Sequence, residues 1–458
     1  MDCAVRKPIL KSFQSPGDMV LLTAAVRHLD HACPARFLTD VRTSAQSIGE
    51  GNPHLVCLED RGKEVEAIDR HDPRIDHSNQ RPDHFLHGCL QYLEERRCPM
   101  DPLIDRLDRM PSPGVLVLGD PILDRYVRGT TERISPEAPV PVLETDAEEQ
   151  RLGGAASVAG LVAALGAQPT LVGVVGEDAD GAVLGDLLEE AGIARESLVL
   201  DGTRRTTCKE RFLGRVPGRD AYPILRVDRE STHPIRRSLE DLVIDRLVVA
   251  LEGCAVLLIS DYGKGTCTPR VLREAITAAR DIDVEVIVDP AREADVKRYR
   301  GATYLIPNRY EAQCATRKRL RTPDDALKAA SALCRRCDLK GAIVKLDCQG
   351  MVVYEASGAS VHLPARAAVV QDVTGAGDMV LAALGMARAA DLPLDLAVRL
   401  ANVAAGIQVT RPGMAPVTAA EIRGRFADGR CRSERLVSPH RMAALPLLQG
   451  GNKRFHSS

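Results

Sequence analysis

From Gly114 onward, short apolar runs alternate with longer segments of helical periodicity. The strand-like runs are VLVLG, TLVGVVG, AVLLISDY, VEVIVDP and GAIVKL, and the helical segments are SVAGLVAALGA, GAVLGDLLEEAGI and PRVLREAITAARD. Continuous apolar runs bounded by glycine or aspartate are typical of strands that are buried on both faces of a parallel sheet. The pattern predicts an α/β domain of about 320 residues, in which helices cover both faces of a mostly parallel sheet.

Two stretches break this rhythm. Tyr126 to Arg151 and Thr203 to Glu230 are rich in Thr, Arg, Val and Pro, and their apolar and polar residues alternate as in strands. Alternation with a period of two predicts half-exposed strands. We expect these stretches to form a small separate sheet, or lid.

The distribution of histidine and proline predicts the domain boundaries. Seven of the eleven histidines precede residue 90, and four prolines interrupt the segment that follows: Pro99, Pro102, Pro111 and Pro113. Proline ends helices, so this segment is typical of a linker. We predict an N-terminal module at residues 1–98, a linker at 99–113, the α/β domain at 114–429, and a flexible tail at 430–458, where periodicity is lost.

Composition and charge narrow the classes of function. The 458 residues are 45% hydrophobic, and 61 basic residues against 63 acidic residues give a net charge of -2. A chain so nearly neutral has no general attraction for nucleic acid or anionic membranes, so a small dissolved partner is expected. The sequence has neither a run of about 18 apolar residues nor a signal-peptide pattern, and we expect a cytoplasmic protein without a membrane span.

The thirteen cysteines are scattered, which predicts reduced thiols rather than a disulfide framework. Cys334 and Cys337 form a single C-x-x-C pair in SALCRRCDLKG. A structural zinc site requires a second pair of ligands nearby. The favoured interpretation is therefore two cysteines in an ordinary helix.

The segment QDVTGAGDMVLAALGMA, residues 371–387, contains the strongest chemical signal. Backbone amides at the N-terminus of a helix point outward unpaired, and glycines at 375 and 377 let a phosphate approach them closely. Asp378 would repel that phosphate, which suggests that it accepts a proton from a hydroxyl attacking the phosphoryl group. The alternative is a glycine-rich turn with Asp378 as a helix cap.

Other phosphate and catalytic motifs are missing from the sequence. It contains no GxxxxGK[ST] motif, and Gly173 and Gly176 in GVVGEDADG are an incomplete dinucleotide fingerprint. Between residues 114 and 429 only His233 and His362 occur, which argues against histidine catalysis. Phosphoryl transfer needs mainly positioning and charge neutralisation, for which an anion hole, a base and magnesium suffice.

These residues resemble the ribokinase-like (PfkB) carbohydrate kinases over Gly114 to Arg425. GGAA at 153–156 followed by DVTGAGD is specific for the superfamily, and TERISPEAPVPV resembles the D-glycero-D-manno-heptose-7-phosphate kinases. The resemblance implies a three-layer α/β sandwich with a small β lid. It also implies ATP and Mg²⁺ as cofactors, and phosphorylation of heptose 7-phosphate at C1 to the 1,7-bisphosphate for ADP-heptose biosynthesis.

The resemblance assigns the phosphoryl-transfer residues. It makes Asp378 the base and forms the anion hole from the amides of Gly375, Ala376, Gly377 and Asp378. Asn308 and Glu311 in PNRYE match an N-x-x-E motif that organises Mg²⁺ and phosphate through water.

The remaining assigned residues bind the two substrates. The nucleotide site would include Asn308, Lys345 and Asn402. The sugar site would be formed by Asp124, Gly153, Gly154 and Ser157, with Lys209 and Arg211 of the lid on the sugar phosphate. The lid strands also suggest a homodimer, by analogy alone.

Several of these residues have ordinary structural alternatives. Asp124 and Glu311 are also consistent with solvated loop acids, and Lys209 and Arg211 with the solvated face of a strand. Asn402 is also consistent with a satisfied polar residue in a helix. Asp261, which the resemblance locates near the phosphates, is equally suited to capping a turn.

The sequence also departs from the family pattern. Ser157 replaces an asparagine, Met379 a threonine, and Ala291 a frequent lysine, while Lys345 stands where threonine is common. The nucleotidyltransferase module that is fused to many such kinases is not found, so we expect adenylation to require another protein. Two alternatives to the heptose kinase remain: a kinase for another sugar or nucleoside, and a non-catalytic nucleotide-binding scaffold.

The first hundred residues resemble the start of a glycosyltransferase family 9 domain. The resemblance is carried by SPGDMVLLTAAVRHL and FLTDVRTSAQSIGEGNPHL, which suggest a partial Rossmann-like module, and the family's C-terminal half is not found. We therefore favour a docking or vestigial module. His84 and His87 are interpreted as surface residues rather than as a metal or catalytic pair.

Overall fold

The computed structural model describes residues 7–12, 40–43, 65–69, 113–216, 221–365, 370–411 and 416–427. The chain divides into two compact units, residues 1–102 and 103–458. In the first unit, β1 (Lys7–Ser12) pairs in parallel with β2 (Asp40–Thr43) and with β3 (Val65–Asp69). His84, His87, most of the predicted linker and the tail at 430–458 lie outside the described residues.

The second unit contains a nine-stranded sheet. Its strands are β4 (Gly114–Gly119), β7 (Gln168–Gly176), β8 (Leu198–Asp201), β11 (Cys254–Ser260), β12 (Glu285–Asp289), β13 (Tyr304–Leu305), β14 (Gly341–Lys345), β15 (Met351–Glu355) and β16 (Ser360–Leu363). They lie in the order β16-β15-β14-β13-β12-β11-β4-β7-β8, and the pairs β14–β15 and β15–β16 are antiparallel. The prediction of a mostly parallel sheet is confirmed.

Helices cover both faces of this sheet. They are α1 (Ala155–Ala164), α2 (Ala179–Glu190), α3 (Arg237–Leu251), α4 (Pro269–Asp281), α5 (Arg309–Thr316), α6 (Pro323–Cys337), α7 (Ala376–Ala389), α8 (Leu394–Gln408) and α9 (Ala419–Ala427). Within the described part of the chain, none of them is long and apolar enough to cross a membrane.

Alternate residues of the central strands define the two helical layers. Leu257 and Ile259 of β11 pack in one core with α3, α4 and α6. Gly385 of α7 lies against Leu258, whose side chain points to the opposite face because side chains alternate along a strand. Helix α7 also packs on α1 and α8. The result is the expected three-layer α/β sandwich.

A second sheet of four strands forms the predicted lid. It contains β5 (Pro121–Ile134), β6 (Pro141–Gly154), β9 (Thr207–Arg215) and β10 (Tyr222–Arg229), in the order β10-β9-β5-β6. Strands β5 and β9 are parallel, so Asp124 lies opposite Lys209 and Tyr126 lies opposite Arg211. These four residues share one face of the lid sheet, because residues two apart on a strand point the same way.

Candidate active site

Four parallel strands bring polar residues to the carboxyl edge of the large sheet. β4 is followed by Asp120 and β11 by Asp261 and Tyr262, whereas Asp289 and Lys345 are the last residues of β12 and β14. Open α/β sheets bind their ligands outside the carboxyl ends of the strands. This edge is therefore the candidate active site.

Helix α7 begins at this edge with the predicted glycine-rich turn. Gly375 caps the helix with a φ of 76°, a left-handed conformation that glycine adopts readily. The Ala376 amide donates to the Val373 carbonyl at 3.3 Å, and the Met379 amide donates to Gly375 at 2.9 Å. The amides of Gly377 and Asp378 are in the first turn, where a helix offers no internal acceptor. They are the best placed donors for an anion.

Gly377 faces two charged side chains. A Cβ at this position would lie 3.4 Å from Nζ of Lys345 and 3.7 Å from Oδ2 of Asp289. The start of α7 therefore has an ammonium group beside it. A cation and a helix N-terminus at the same point both favour a negative ligand.

Asp378 is buried in the first turn of α7, with 4% of its surface exposed. The Tyr262 hydroxyl donates a hydrogen bond to its Oδ1 at 2.7 Å. The pKa of Asp378 is raised to about 7, chiefly by burial. The Tyr262 hydrogen bond and the charge of Lys345 lower this pKa, whereas the charges of Asp289 and Asp124 raise it. A carboxyl group with a pKa near neutrality can accept and release a proton at working pH.

Lys345 and Asp289 form an ion pair between the ends of β14 and β12, across the intervening strand β13. Nζ of Lys345 lies 2.8 Å from both carboxylate oxygens of Asp289. Burial raises the pKa of Asp289, and Lys345 opposes that shift. The backbones of Lys345 and Asn308 pair in a single parallel β-bridge, which places the start of α5 beside this ion pair.

Asn308 and Glu311 cap helix α5 reciprocally. The Glu311 amide donates to Oδ1 of Asn308 at 2.9 Å, and the Asn308 backbone amide donates to Oε2 of Glu311 at 2.8 Å. Burial first, and then the charge of Asp289, raise the pKa of Glu311 to about 7. Glu311 is thus half-buried and electrostatically coupled to Asp289, unlike a solvated loop acid.

The acidic and basic lid residues are paired with one another. Asp124 is buried with 4% exposure, and Nη1 of Arg211 donates to its Oδ1 at 2.7 Å. Arg211 also stacks on the ring of Tyr126, 5.1 Å from its centre. A Cβ on Gly153 would lie 2.7 Å from Oδ2 of Asp124, so glycine is required for this carboxylate to lie against the backbone. The solvated alternatives for Asp124 and Arg211 do not hold.

Lys209 lies over the ring of Tyr262, with Nζ 4.8 Å from the ring centre. Burial lowers the pKa of Lys209, against the charge of Asp124, which raises it. The lid lysine therefore contacts the residue that binds Asp378, and the solvated alternative does not hold for it either.

Asp261 and Tyr262, which follow β11, have different roles. Asp261 accepts from the Gly263 amide at 2.9 Å and from the Tyr299 hydroxyl at 2.8 Å, so it caps a turn. Burial and the charge of Asp120 raise the pKa of Asp261 to about 6. Tyr262, rather than Asp261, reaches the base. Sequence reasoning missed Tyr262, although its position directly after a buried strand was visible.

The other sequence-predicted residues occupy supporting positions. Asn402 is buried in α8 and donates to the Pro364 carbonyl at 2.8 Å. Gly154 precedes α1 with a φ of 55°, and Ser157 is buried within α1. Met379 is fully buried in α7. Their assignments to the nucleotide and the sugar remain predictions.

The described residues contain no group of three or more potential metal ligands of the His, Cys, Asp or Glu types. Cys334 and Cys337 are free and buried in α6, as expected of an ordinary helix.

The sequence resembles curated proteins over about two thirds of its length. The bifunctional protein HldE of Pelobacter propionicus is 40% identical over 315 residues, which cover 69% of this chain and 63% of that protein. HldE of Geobacter sulfurreducens is 41% identical over 309 residues, covering 68% and 62%. The chain thus spans less than two thirds of the length of these relatives. The glycosyltransferase resemblance of the first hundred residues stays a prediction.

Solved structures share the fold. Phosphofructokinase-2 from Escherichia coli, in complex with substrates and products, has a TM-score of 0.57 at 21% identity and covers 69% of this chain and 99% of its own. Ribokinase of Arabidopsis thaliana, complexed with ribose and ATP, has a TM-score of 0.54 at 19% identity, with coverage of 69% and 99%. Residues 113–420 match the pfkB family carbohydrate kinases. The chain belongs to the pfkB family of carbohydrate kinases.

Proposed function

We propose that this protein transfers the γ-phosphoryl group of ATP to C1 of D-glycero-D-manno-heptose 7-phosphate, giving the 1,7-bisphosphate used in ADP-heptose biosynthesis. One observation carries the proposal. A buried carboxyl group with a pKa near 7, Asp378, lies in the first turn of α7, beside unpaired amides and an ammonium group. This arrangement combines a base for a hydroxyl with a site for the phosphoryl group that the hydroxyl attacks.

The residues divide the reaction between them. Tyr262 occupies Oδ1 of Asp378, so Oδ2 accepts the proton of the anomeric hydroxyl. The hydroxyl oxygen forms the new bond to the γ-phosphorus as the bond to the ADP oxygen breaks. The amides of Gly377 and Asp378 and the ammonium group of Lys345 stabilise the charge on the migrating group.

The lid favours a phosphorylated sugar. Asp124 is positioned by Gly153 and Arg211 to accept hydrogen bonds from sugar hydroxyls. Arg211 keeps 20% of its side chain exposed beside this carboxylate, and Lys209 lies on the same face. Two cationic donors on one face suit the dianionic phosphate of a sugar phosphate.

The carboxylates beside Gly377 suit a magnesium ion that is bound mainly by phosphates. The carboxylate of Asp289 lies 3.7 Å from the position of a Cβ on Gly377, and its charge raises the pKa of Glu311, so the two carboxylates are close enough to interact. Mg²⁺ commonly binds through one or two carboxylates, waters and substrate phosphates rather than in an all-protein cage. Glu311 and Asn308 would hold it through water, and the ion would neutralise charge on the phosphates.

The relatives support the sugar and the pathway. Proteins named HldE are about 40% identical to this chain over more than 300 residues. We place the reaction in the cytoplasm, and we propose a homodimer through the lid strands.

ADP release from ATP by the full-length chain tests this function. We expect heptose 7-phosphate to be used at least about tenfold better than heptose without the phosphate, because two cationic contacts are lost with it. Preference for another sugar or a nucleoside would change the substrate but keep the kinase. ATP binding without ADP release from any acceptor would instead favour a scaffold.

A further inference from the structure

We propose that Tyr262 is a positioning residue that holds the base Asp378 and links it to the lid through Lys209. The inference rests on the proposed kinase function, because it concerns the base of that reaction. Its evidence is independent of the substrate: one tyrosine contacts the lid sheet with its ring and the first turn of α7 with its hydroxyl.

The backbone of Tyr262 is fixed by the neighbouring strand. Asp120 directly follows β4 and is 1% exposed. Its carboxylate accepts hydrogen bonds from three backbone amides of this loop. The amides of Tyr262, Lys264 and Thr266 each donate to it at 3.0 Å. Three charge-assisted hydrogen bonds fix the backbone of this loop, and therefore the position from which the Tyr262 side chain extends.

The side chain of Tyr262 then bridges two separate elements. Its hydroxyl lies 2.7 Å from Oδ1 of Asp378, and its ring lies under the ammonium group of Lys209 at 4.8 Å. Lys209 belongs to β9 of the lid. A movement of β9 that withdraws Lys209 removes the cation from the ring, so the position of the lid is transmitted to the residue that orients the base.

The chemistry of this hydrogen bond gives it a measurable signature. Tyr262 is 36% exposed as a whole, but burial of its hydroxyl and the neighbouring Asp378 raise the pKa of the phenol well above its usual range, so it stays protonated and donates. After burial, the groups with the largest effects on the pKa of Asp378 are Tyr262 and Lys345, which lower it, and Asp289 and Asp124, which raise it. Removing the Tyr262 hydroxyl must therefore raise the pKa of the base.

The pH dependence of kcat/KM in the full-length enzyme tests this role. In Tyr262→Phe we expect the acidic limb to move up by about one pH unit, because a hydrogen bond to a charged group is lost. The rate falls by about fivefold at pH 7 and by about tenfold at pH 6 and below, and it recovers toward wild type at alkaline pH. Tyr262→Leu, which also loses the ring, additionally raises KM for the sugar phosphate.

Tyr354→Phe is the matched control. Tyr354 pairs with Ala342 near the start of β14, at the opposite edge of the sheet from Lys345, so its rate and pH profile should stay those of wild type. An unshifted limb in Tyr262→Phe, with the rate either unchanged or reduced equally at every pH, would overturn the proposal.

A titration of the Asp378 carboxyl carbon by NMR makes the test independent of turnover. We expect its pKa to rise in Tyr262→Phe, and an unchanged pKa contradicts the inference even in a folded, active variant. A wild type that releases no ADP from any sugar phosphate contradicts the kinase function instead. The two failures are therefore distinguishable.

Discussion

Replacing Lys345 by methionine removes the cation beside the start of α7. The substitution keeps most of the side-chain volume but leaves the carboxylate of Asp289 without the ammonium group that lies 2.8 Å from both its oxygens. Two effects follow, one on stability and one on catalysis. A second substitution separates them.

The cost in stability follows from the burial of the pair. Breaking a buried ion pair by removing one partner costs about 3–5 kcal/mol. Asp289 keeps 19% and Lys345 keeps 13% of its side chain exposed, so the lower end, about 3 kcal/mol, is expected. In a domain of this size such a loss lowers the melting temperature by roughly 5 °C.

The double variant Asp289→Asn/Lys345→Met removes both charges. We expect the melting temperature to return toward wild type, because no unpaired charge is left buried. The pKa of Asp378 also stays near its wild-type value, because Asp289 and Lys345 shift it in opposite directions. Any remaining loss of activity then reports the direct contacts that Lys345 makes to the phosphates and Asp289 to their magnesium ion, apart from the neutralisation of one by the other.

We expect kcat/KM for ATP to remain about 10- to 100-fold below wild type in the double variant, as one charge-assisted contact to phosphate is lost. Steady-state ADP release and thermal unfolding of wild type and both variants provide the measurements. Wild-type kcat/KM in the double variant would refute the reasoning, because Lys345 would then serve only to neutralise Asp289.

Three further predictions concern the lid, the base and the position of the lysine at the edge of the sheet. Arg211→Ala should raise KM for heptose 7-phosphate by about tenfold or more and leave the unphosphorylated sugar less affected, as shown by the ratio of their kcat/KM values. Asp378 has a pKa of about 7 in the folded protein, above the value of about 4 that an aspartate has in an unfolded chain. The folded state therefore holds this proton more tightly, and it loses stability as the pH rises from about 4 to 7. Asp378→Asn should therefore melt at a higher temperature than wild type at pH values above this range and show little difference below it. If catalysis requires a cation at this edge of the sheet, the double variant Ala291→Lys/Lys345→Thr should recover part of the ADP release that Lys345→Thr loses. No recovery would mean that the ammonium group must stand at position 345.

Periodicity was sufficient to predict the architecture. Fully apolar runs such as VLVLG and AVLLISDY occur as β4 and β11 in the middle of the sheet, where both faces are covered. The two residues of β13 and the antiparallel pair β15–β16 were not predicted. A two-residue strand is too short to show a period, and an antiparallel edge depends on pairing rather than on local pattern.

The candidate site was predictable where it depends on local geometry. The glycine-rich turn and Asp378 are adjacent in sequence and are adjacent at the start of α7. The N-x-x-E motif has two meanings, because the same spacing that suits a metal site also forms a capping box, and Asn308 and Glu311 form that box.

The long-range contacts of the site could not be predicted from the sequence. Tyr262 binds Asp378 across 116 residues, and Lys345 meets Asp289 across 56. Such pairs arise because different strands end at one edge of the sheet, and strand order is not encoded in any local pattern. In the sequence Lys345 was both a predicted nucleotide-site residue and a departure from the family pattern, whereas its pairing with the carboxylate of Asp289 is visible only in the structure.

ADP release from saturating ATP and heptose 7-phosphate, compared between wild type and Asp378→Asn with ATP affinity measured in parallel, tests the role of the base most directly. Asparagine keeps an oxygen to accept the Tyr262 hydrogen bond but cannot take a proton from the sugar. We predict that kcat falls by about 10²- to 10⁴-fold while ATP binds as in wild type. An Asp378→Asn enzyme that turns over at close to the wild-type rate would contradict the account.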